Sequence, residues 1–153
     1  MINDNKKAID FLQNIINDIK SMHNNGLYYL SFVIMVSAVE TLGAFIDKKP
    51  LRARAQSFKR FNLAIDKLFP LKYHIVNKNS FLYDKLRNHF AHNLLPSSYL
   101  ILIDKETDNQ KHLDFKDEKL IVAADIFYAD LKLASKKVIN KIKNDELKNI
   151  KLY

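Results

Sequence analysis

The sequence predicts a mostly all-α fold, an antiparallel bundle of about five helices with a small β-hairpin inserted before the last helix. Three observations lead there. Apolar residues recur at three- and four-residue steps through most of the chain, the period of a helix with one buried face. Only two glycines and three prolines occur in 153 residues, too few chain-breakers for an all-β fold with many tight turns. Length and mixture, 48% hydrophobic and 27% charged, fit one domain over residues 1–153 that buries a core without a disulfide or metal staple.

Taken in order, residues 4–22 read as an amphipathic helix, with Ala8, Phe11, Leu12, Ile15, Ile16, Ile19 and Met22 on its apolar stripe. Asn24-Asn25-Gly26 supplies a turn. Residues 27–47 are apolar on most faces and read as the central helix. Glu40 interrupts that run, so a buried helix explains it better than a membrane span. After Pro50, residues 53–69 place Phe58, Phe61, Ile65, Leu68 and Phe69 on one stripe, and Pro70 ends the helix. Residues 71–78 read equally as helix or loop.

A fourth helix is expected over 79–94, with Ser80 as its cap and Leu82, Leu86 and Phe90 facing inward. Tyr99–Ile103 and Lys111–Phe115 read as the two strands of a long-looped hairpin. The last helix is expected over 117–144, through Leu120, Ala124, Phe127, Leu131, Ala134, Val138 and Ile142, with a frayed tail to Tyr153. Tyr28, Tyr29, Phe32, Phe58 and Phe61 read as core rather than as platforms for stacked bases.

Composition excludes several function classes. Cysteine is absent, which removes disulfides, thiolate nucleophiles, iron–sulfur clusters and cysteine-rich zinc sites, and fits a cytoplasmic chain. Two glycines cannot build a phosphate-cradling loop or a dinucleotide fingerprint, so no cofactor is expected. The net charge is +8, and it is uneven. Residues 51–100 hold nine basic and two acidic side chains, including all four arginines, while the flanking thirds are near balance. A localised basic excess is what a polyanion-binding face needs. Heavy use of Lys, Asn and Ile is equally the signature of an AT-rich genome on solvated faces.

The densest chemistry lies in Asp84-Lys85-Leu86-Arg87-Asn88-His89-Phe90-Ala91-His92-Asn93. On a helix Asn88 and His92 share a face, whereas Arg87 and His92 lie about 140° apart. These two converge on one ligand only if the helix ends near His92 or a second copy supplies the partner. An arginine fork matches phosphate oxygens, and an imidazole moves protons near neutral pH. Together they are the parts needed to cleave RNA without a metal. The same residues also read as a helix end with a cationic cap.

Arg87-Asn88-His89-Phe90-Ala91-His92 resembles the motif of the HEPN superfamily, an arginine, four to six residues and a histidine, with a polar residue commonly after the arginine. HEPN domains are helical bundles that carry the motif late in the bundle, as expected here. The resemblance implies a metal-independent ribonuclease, often in toxin–antitoxin, phage-defence or CRISPR systems, that dimerises so both motifs line one cleft. It implies catalytic roles for Arg87 (phosphate), His92 (general acid or base) and Asn88 (orientation), with RNA as substrate and a cognate antitoxin as partner. His89 has no fixed place in the motif and is assigned a supporting position. Many HEPN-like domains are instead binding or assembly modules for nucleic acid, nucleotide or protein.

Around this cluster, Glu40 is expected either to pair with Arg87 or His92 across the bundle or to reach a surface or backbone donor. Arg52, Arg54, Lys59, Arg60 and Lys85 are candidates for an RNA-binding surface, or a solvated face. His89 and His92 stand at a helical step suited to a metal, but no third ligand is indicated, so none is expected. His74 and His112 are isolated and read as structural or exposed.

Overall fold

The computed structural model describes residues 3–148 and 150–152. It is mostly helical, as predicted, with a small three-stranded sheet. Helix α1 (Asp4–Asn24) begins where the Asn3 side-chain oxygen accepts the Asn5 N–H at 3.0 Å, and it ends before Gly26, whose φ of +73° suits glycine. Helix α2 (Tyr28–Ile46) packs against α1, α3 (Ser57–Leu68) and α6 (Ala124–Lys143). Its Phe32, Met35, Val39 and Phe45 meet Phe61, Phe90 and Phe127 in the core. Among the described residues α2 is the one helix long and apolar enough to cross a membrane, and its buried residues from Ser31 to Phe45 face protein.

A close backbone approach sets how α2 meets α3. A Cβ on Gly43 would lie 1.9 Å from the Arg60 carbonyl oxygen. Glycine there is therefore a packing requirement and not a turn signal. The 47–56 connection is tied down by the Arg60 guanidinium, which donates to the carbonyls of Pro50 (2.6 Å) and Leu51 (2.7 Å) and to the Asp47 carboxylate (3.2 Å). Burial would raise the Asp47 pKa, but bonds from Lys59, Arg60 and the Lys48 N–H outweigh it and hold the carboxyl below its ordinary value.

Downstream of α3 the expected elements shift. Residues 71–76 form helix α4 (Leu71–Val76), and Lys78–Ser80 make a 3₁₀ turn. Ser80 does not cap the next helix; its φ is +60°, and the Asn77 side chain accepts the Leu82 N–H instead. Residues 83–88 wind as a π-helix (Tyr83–Asn88) that runs into α5 (His89–Asn93). Leu82, Leu86 and Phe90 are buried as expected.

The expected hairpin between 99–103 and 111–115 does not form. Strand β1 (Leu100–Ile103) instead runs parallel to β3 (Lys119–Ala123), with Leu100 opposite Leu120. Strand β2 (Phe115–Lys116) pairs antiparallel with the far edge of β3, giving the order β1-β3-β2. The last helix therefore starts at Ala124 and not at 117. Residues 117 and 118 turn with φ of 49° and 62°, and 120–123 are all buried strand. A continuous apolar run buried on both faces carries neither period, so helix and strand look alike in sequence.

Two other expectations are corrected. Among its described residues the tail after α6 is held and not frayed: Leu147, Ile150 and Leu152 pack against the core, and Arg52 donates to the Leu152 carbonyl at 3.1 Å, while Asn149 and Tyr153 lie outside the described residues. Phe32 and Phe61 are core, but Phe58 is 55% exposed and Tyr29 lies at the surface.

His112, read as isolated, is buried where sheet meets helices. Its Nδ1 accepts the Ala123 N–H (3.0 Å), so its proton sits on Nε2 and is donated to the Tyr73 hydroxyl (2.8 Å). Tyr73 in turn donates to Asp130 (2.9 Å). Burial lowers the His112 pKa from 6.5 to about 4. Because the folded value is depressed, the unfolded chain takes up this proton first as pH falls. Stability linked to His112 is complete above pH 6.5 and declines from there towards pH 4.

Two predictions follow from this packing. Gly43→Ala is expected to cost about 3 kcal/mol by overpacking, against about 1 kcal/mol for Gly26→Ala, which meets only backbone strain. Urea denaturation of both variants checks the ranking. Across the 6.5-to-4 window His112 is expected to remove about 3 kcal/mol of stability. His112→Leu should cost about 2 kcal/mol at neutral pH and flatten that part of the stability–pH curve, measured by urea titrations at stepped pH.

Candidate functional site

The predicted cluster sits at the turn where the π-helix joins α5. A π turn admits an extra residue per turn and is frequent at functional sites. The helix ends at Asn93, one residue beyond His92, and Leu94 closes it at φ 55°, a left-handed conformation costly for a leucine. The Tyr29 hydroxyl of α2 donates to the Leu94 carbonyl at 2.7 Å, tying this end to α2 at the surface.

Arg87 faces α2. Its Nε and Nη2 lie 3.0 and 2.8 Å from one oxygen of Glu40, so of the two expectations for Glu40 the pairing with Arg87 is the one observed. That same oxygen accepts the Ser57 hydroxyl at 2.8 Å, and Ser57 accepts the Tyr83 hydroxyl at 3.2 Å. The Tyr83 ring lies under the guanidinium, 5.5 Å from centroid to carbon. Nη1 reaches the Asn88 side-chain oxygen at 3.3 Å. Terminal N–H donors of Arg87 remain over for an anion.

His92 opens elsewhere. It is exposed and lines a depression of about 300 Å³ with Asn88, His89, Lys85, Asp84 and Asn93. Arg87 instead lines a groove of about 390 Å³ with Glu40, Ser37, Thr41, Phe11 and Leu152. Asn88 is the ridge between them, bonded to Arg87 and lining the His92 side. The chain thus gathers Asn88, His89, His92 and Lys85 at one site and places Arg87 next to it, across a ridge. Lys85 also lies 5.0 Å over the exposed Tyr99 ring.

The basic series divides. Arg60 is 4% exposed, and its donors are held by Asp47 and loop carbonyls, so it is removed from any RNA-binding surface. Lys59 bonds the same carboxylate at 2.6 Å while remaining half exposed. Arg52 and Arg54 are exposed, Arg52 being bonded to the tail. Sequence reasoning missed Ser57 and Tyr83. Tyr83 stands four residues before Arg87, a helical spacing that could have shown it; Ser57 comes from α3 and leaves no local signal. Leu152 was missed because the tail was expected to fray.

Comparison with protein-family models, with curated proteins and with solved structures returns no match to this chain.

The Arg87–Glu40 pair is partly buried, with side-chain exposures of 20% and 27%. A double-mutant cycle with Arg87→Met and Glu40→Gln is expected to yield a coupling of about 1 kcal/mol that shrinks in high salt. Denaturation of the four chains at two ionic strengths measures it.

Proposed function

We propose that this chain is a HEPN-like endoribonuclease that works without metal, its helices arranged as the antiparallel bundle of that superfamily, in a cytoplasmic toxin–antitoxin or phage-defence role. The observation that carries the reading is the helix end itself. An exposed imidazole, His92, shares an open depression with Asn88 and Lys85, and Asn88 bridges to a guanidinium with donors to spare. Within one chain Arg87 and His92 line different depressions, linked through Asn88. A homodimer that sets Arg87 of one copy against His92 of the other completes the site. Exposed Leu94, Leu95, Leu30 and Ile34 offer apolar contact for that second copy.

The chemistry is internal transfer at phosphorus. His92 takes the 2′-hydroxyl proton as that oxygen bonds to the adjacent phosphorus. Arg87 and Lys85 stabilise the charge on the non-bridging oxygens. The bond to the 5′-oxygen breaks, that oxygen takes a proton from an imidazolium, and a 2′,3′-cyclic phosphate and a 5′-hydroxyl result. Asn88 holds Arg87 and lies beside His92, a positioning role.

One observation favours a second reading, a non-catalytic module binding nucleic acid, nucleotide or a protein partner. Glu40 already neutralises Arg87 within the same chain.

Incubation with RNA in EDTA separates the two. The nuclease reading expects cleavage by the parent, reduced about a hundredfold or more in Arg87→Ala and in His92→Ala. Mixing these two inactive variants should restore about a quarter of parental activity, because exchanged dimers carry one intact composite site. Salt-sensitive RNA binding with no cleavage would establish the module instead.

A further inference from the structure

On the side of the molecule formed by α1 and α6, away from the Arg87 cluster, lies a groove of about 780 Å³, twice the volume of the one beside Arg87. Its apolar surface comes from Ile16 of α1 and from Tyr128, Leu133 and Ile139 of α6. Leu133 is 58% exposed, a large aliphatic side chain held in water at the middle of a helix. The rim carries Lys132, Lys136 and Lys143 and no carboxylate. None of these three lysines makes an ion pair among the described residues, whereas their neighbours are engaged: Lys137 with the Leu68 carbonyl, Lys141 with Glu146. The wall includes Ser135, whose buried hydroxyl has no hydrogen-bond partner among the described residues.

We infer that this groove docks an acidic amphipathic helix of a partner protein. The lining runs along α6 from Tyr128 to Lys143, about 22 Å at 1.5 Å per residue, which is the length of a four-turn helix. An apolar floor takes the partner's residues at i, i+4 and i+7, and the lysines take carboxylates on its flanks. Charge selects this occupant over the others. A second copy with a net charge of +8, docked face to face, would bring these lysines against their own counterparts. A nucleic acid could set phosphates on the lysines and on the Gln13, Asn17 and Asn140 amides, but it would leave the aliphatic floor of Ile16, Leu133 and Ile139 without an apolar partner, whereas an amphipathic helix covers both. The inference is independent of the nuclease reading, because none of these residues lines the depressions around Arg87 and His92.

A synthetic, dye-labelled peptide of about 16 residues, with leucines at helical spacing and glutamates on the flanks, is the probe. Fluorescence anisotropy is expected to show it binding at least about tenfold tighter than a scrambled peptide of the same composition. Lys132→Glu combined with Lys136→Glu, and separately Leu133→Asp, should each weaken binding about tenfold or more. Lys78→Glu, a surface charge reversal outside this groove, should not. Circular dichroism confirms that each variant is folded, and RNA cleavage in EDTA should be the same in the groove variants as in the parent. Equal binding of the scrambled peptide, or groove variants that bind like the parent, overturns the inference. So does displacement of the peptide by single-stranded RNA at this face, or a dimer that Leu133→Asp dissolves.

Discussion

The contact between Gly43 and the Arg60 backbone governs both the core and the candidate site. No side chain fits between α2 and α3 at that point, so the two helices approach as closely as backbones can. One turn back along each helix, Glu40 and Ser57 are brought to 2.8 Å. Glu40 is then placed to take the Arg87 guanidinium. At the other end of the contact Asp47 closes on Arg60 and Lys59. A missing methyl group is thus what lets one carboxylate organise an interior loop and another hold the most reactive-looking cation of the chain.

Helical periodicity made α1, α3 and α6 legible, because each keeps one face buried over many turns, and α2 was legible as a long run apolar on most faces. The stripe Phe127, Leu131, Ala134, Val138 and Ile142 is buried throughout. The sheet was not legible in its pairing. The run 119–123 reads as the start of the last helix, and local pattern does not say which strand meets which: β1 reaches β3 across an intervening segment of fifteen residues from 104 to 118. The turn at Asp117 and Glu118 adopts left-handed geometry without the glycine or asparagine that advertises it. Of the candidate site, the local cluster was visible because its members are adjacent in sequence. The Glu40 link was one of two stated alternatives, since a carboxylate in an apolar helix demands a partner. The ridge at Asn88 was hidden, because it depends on a π turn that residue types do not encode.

The charge map shows why counting residues misleads. The middle third has a surplus of seven positive charges, and several of them are taken up by the fold. Arg60 is walled in by carbonyls, Lys59 shares its carboxylate, Arg87 is paired, and Lys72 is tied to Asp114 and to the His112 carbonyl. The last third is nearly neutral by count, yet α6 presents three lysines that make no ion pair among the described residues, beside an apolar groove. Long-range attraction follows solvated, unpaired charge and not composition. The lysines that flank the α6 groove therefore lie in the segment whose balance suggested no acidic partner.

The site near α5 has a parallel lesson about distance along a helix. His92 lies at the last turn, anchored through Leu94 to Tyr29 of α2, while Arg87 lies a turn earlier, anchored through Glu40 to the same helix. Arg87 is held from α2 through Glu40, and the backbone of the helix end that carries His92 is held from the same helix through Tyr29 and Leu94. Rigid placement on opposite flanks is poor geometry for a site within one chain. It is good geometry for a symmetric pair, because a two-fold axis near Asn88 would set each flank against its opposite and leave both anchors intact. Of the exposed leucines beside this end, Leu94 and Leu95, the first carries the left-handed turn that stops the helix. A glycine would make that turn at less cost; in the proposed dimer, apolar contact of the exposed Leu94 side chain with a second copy would offset the backbone strain.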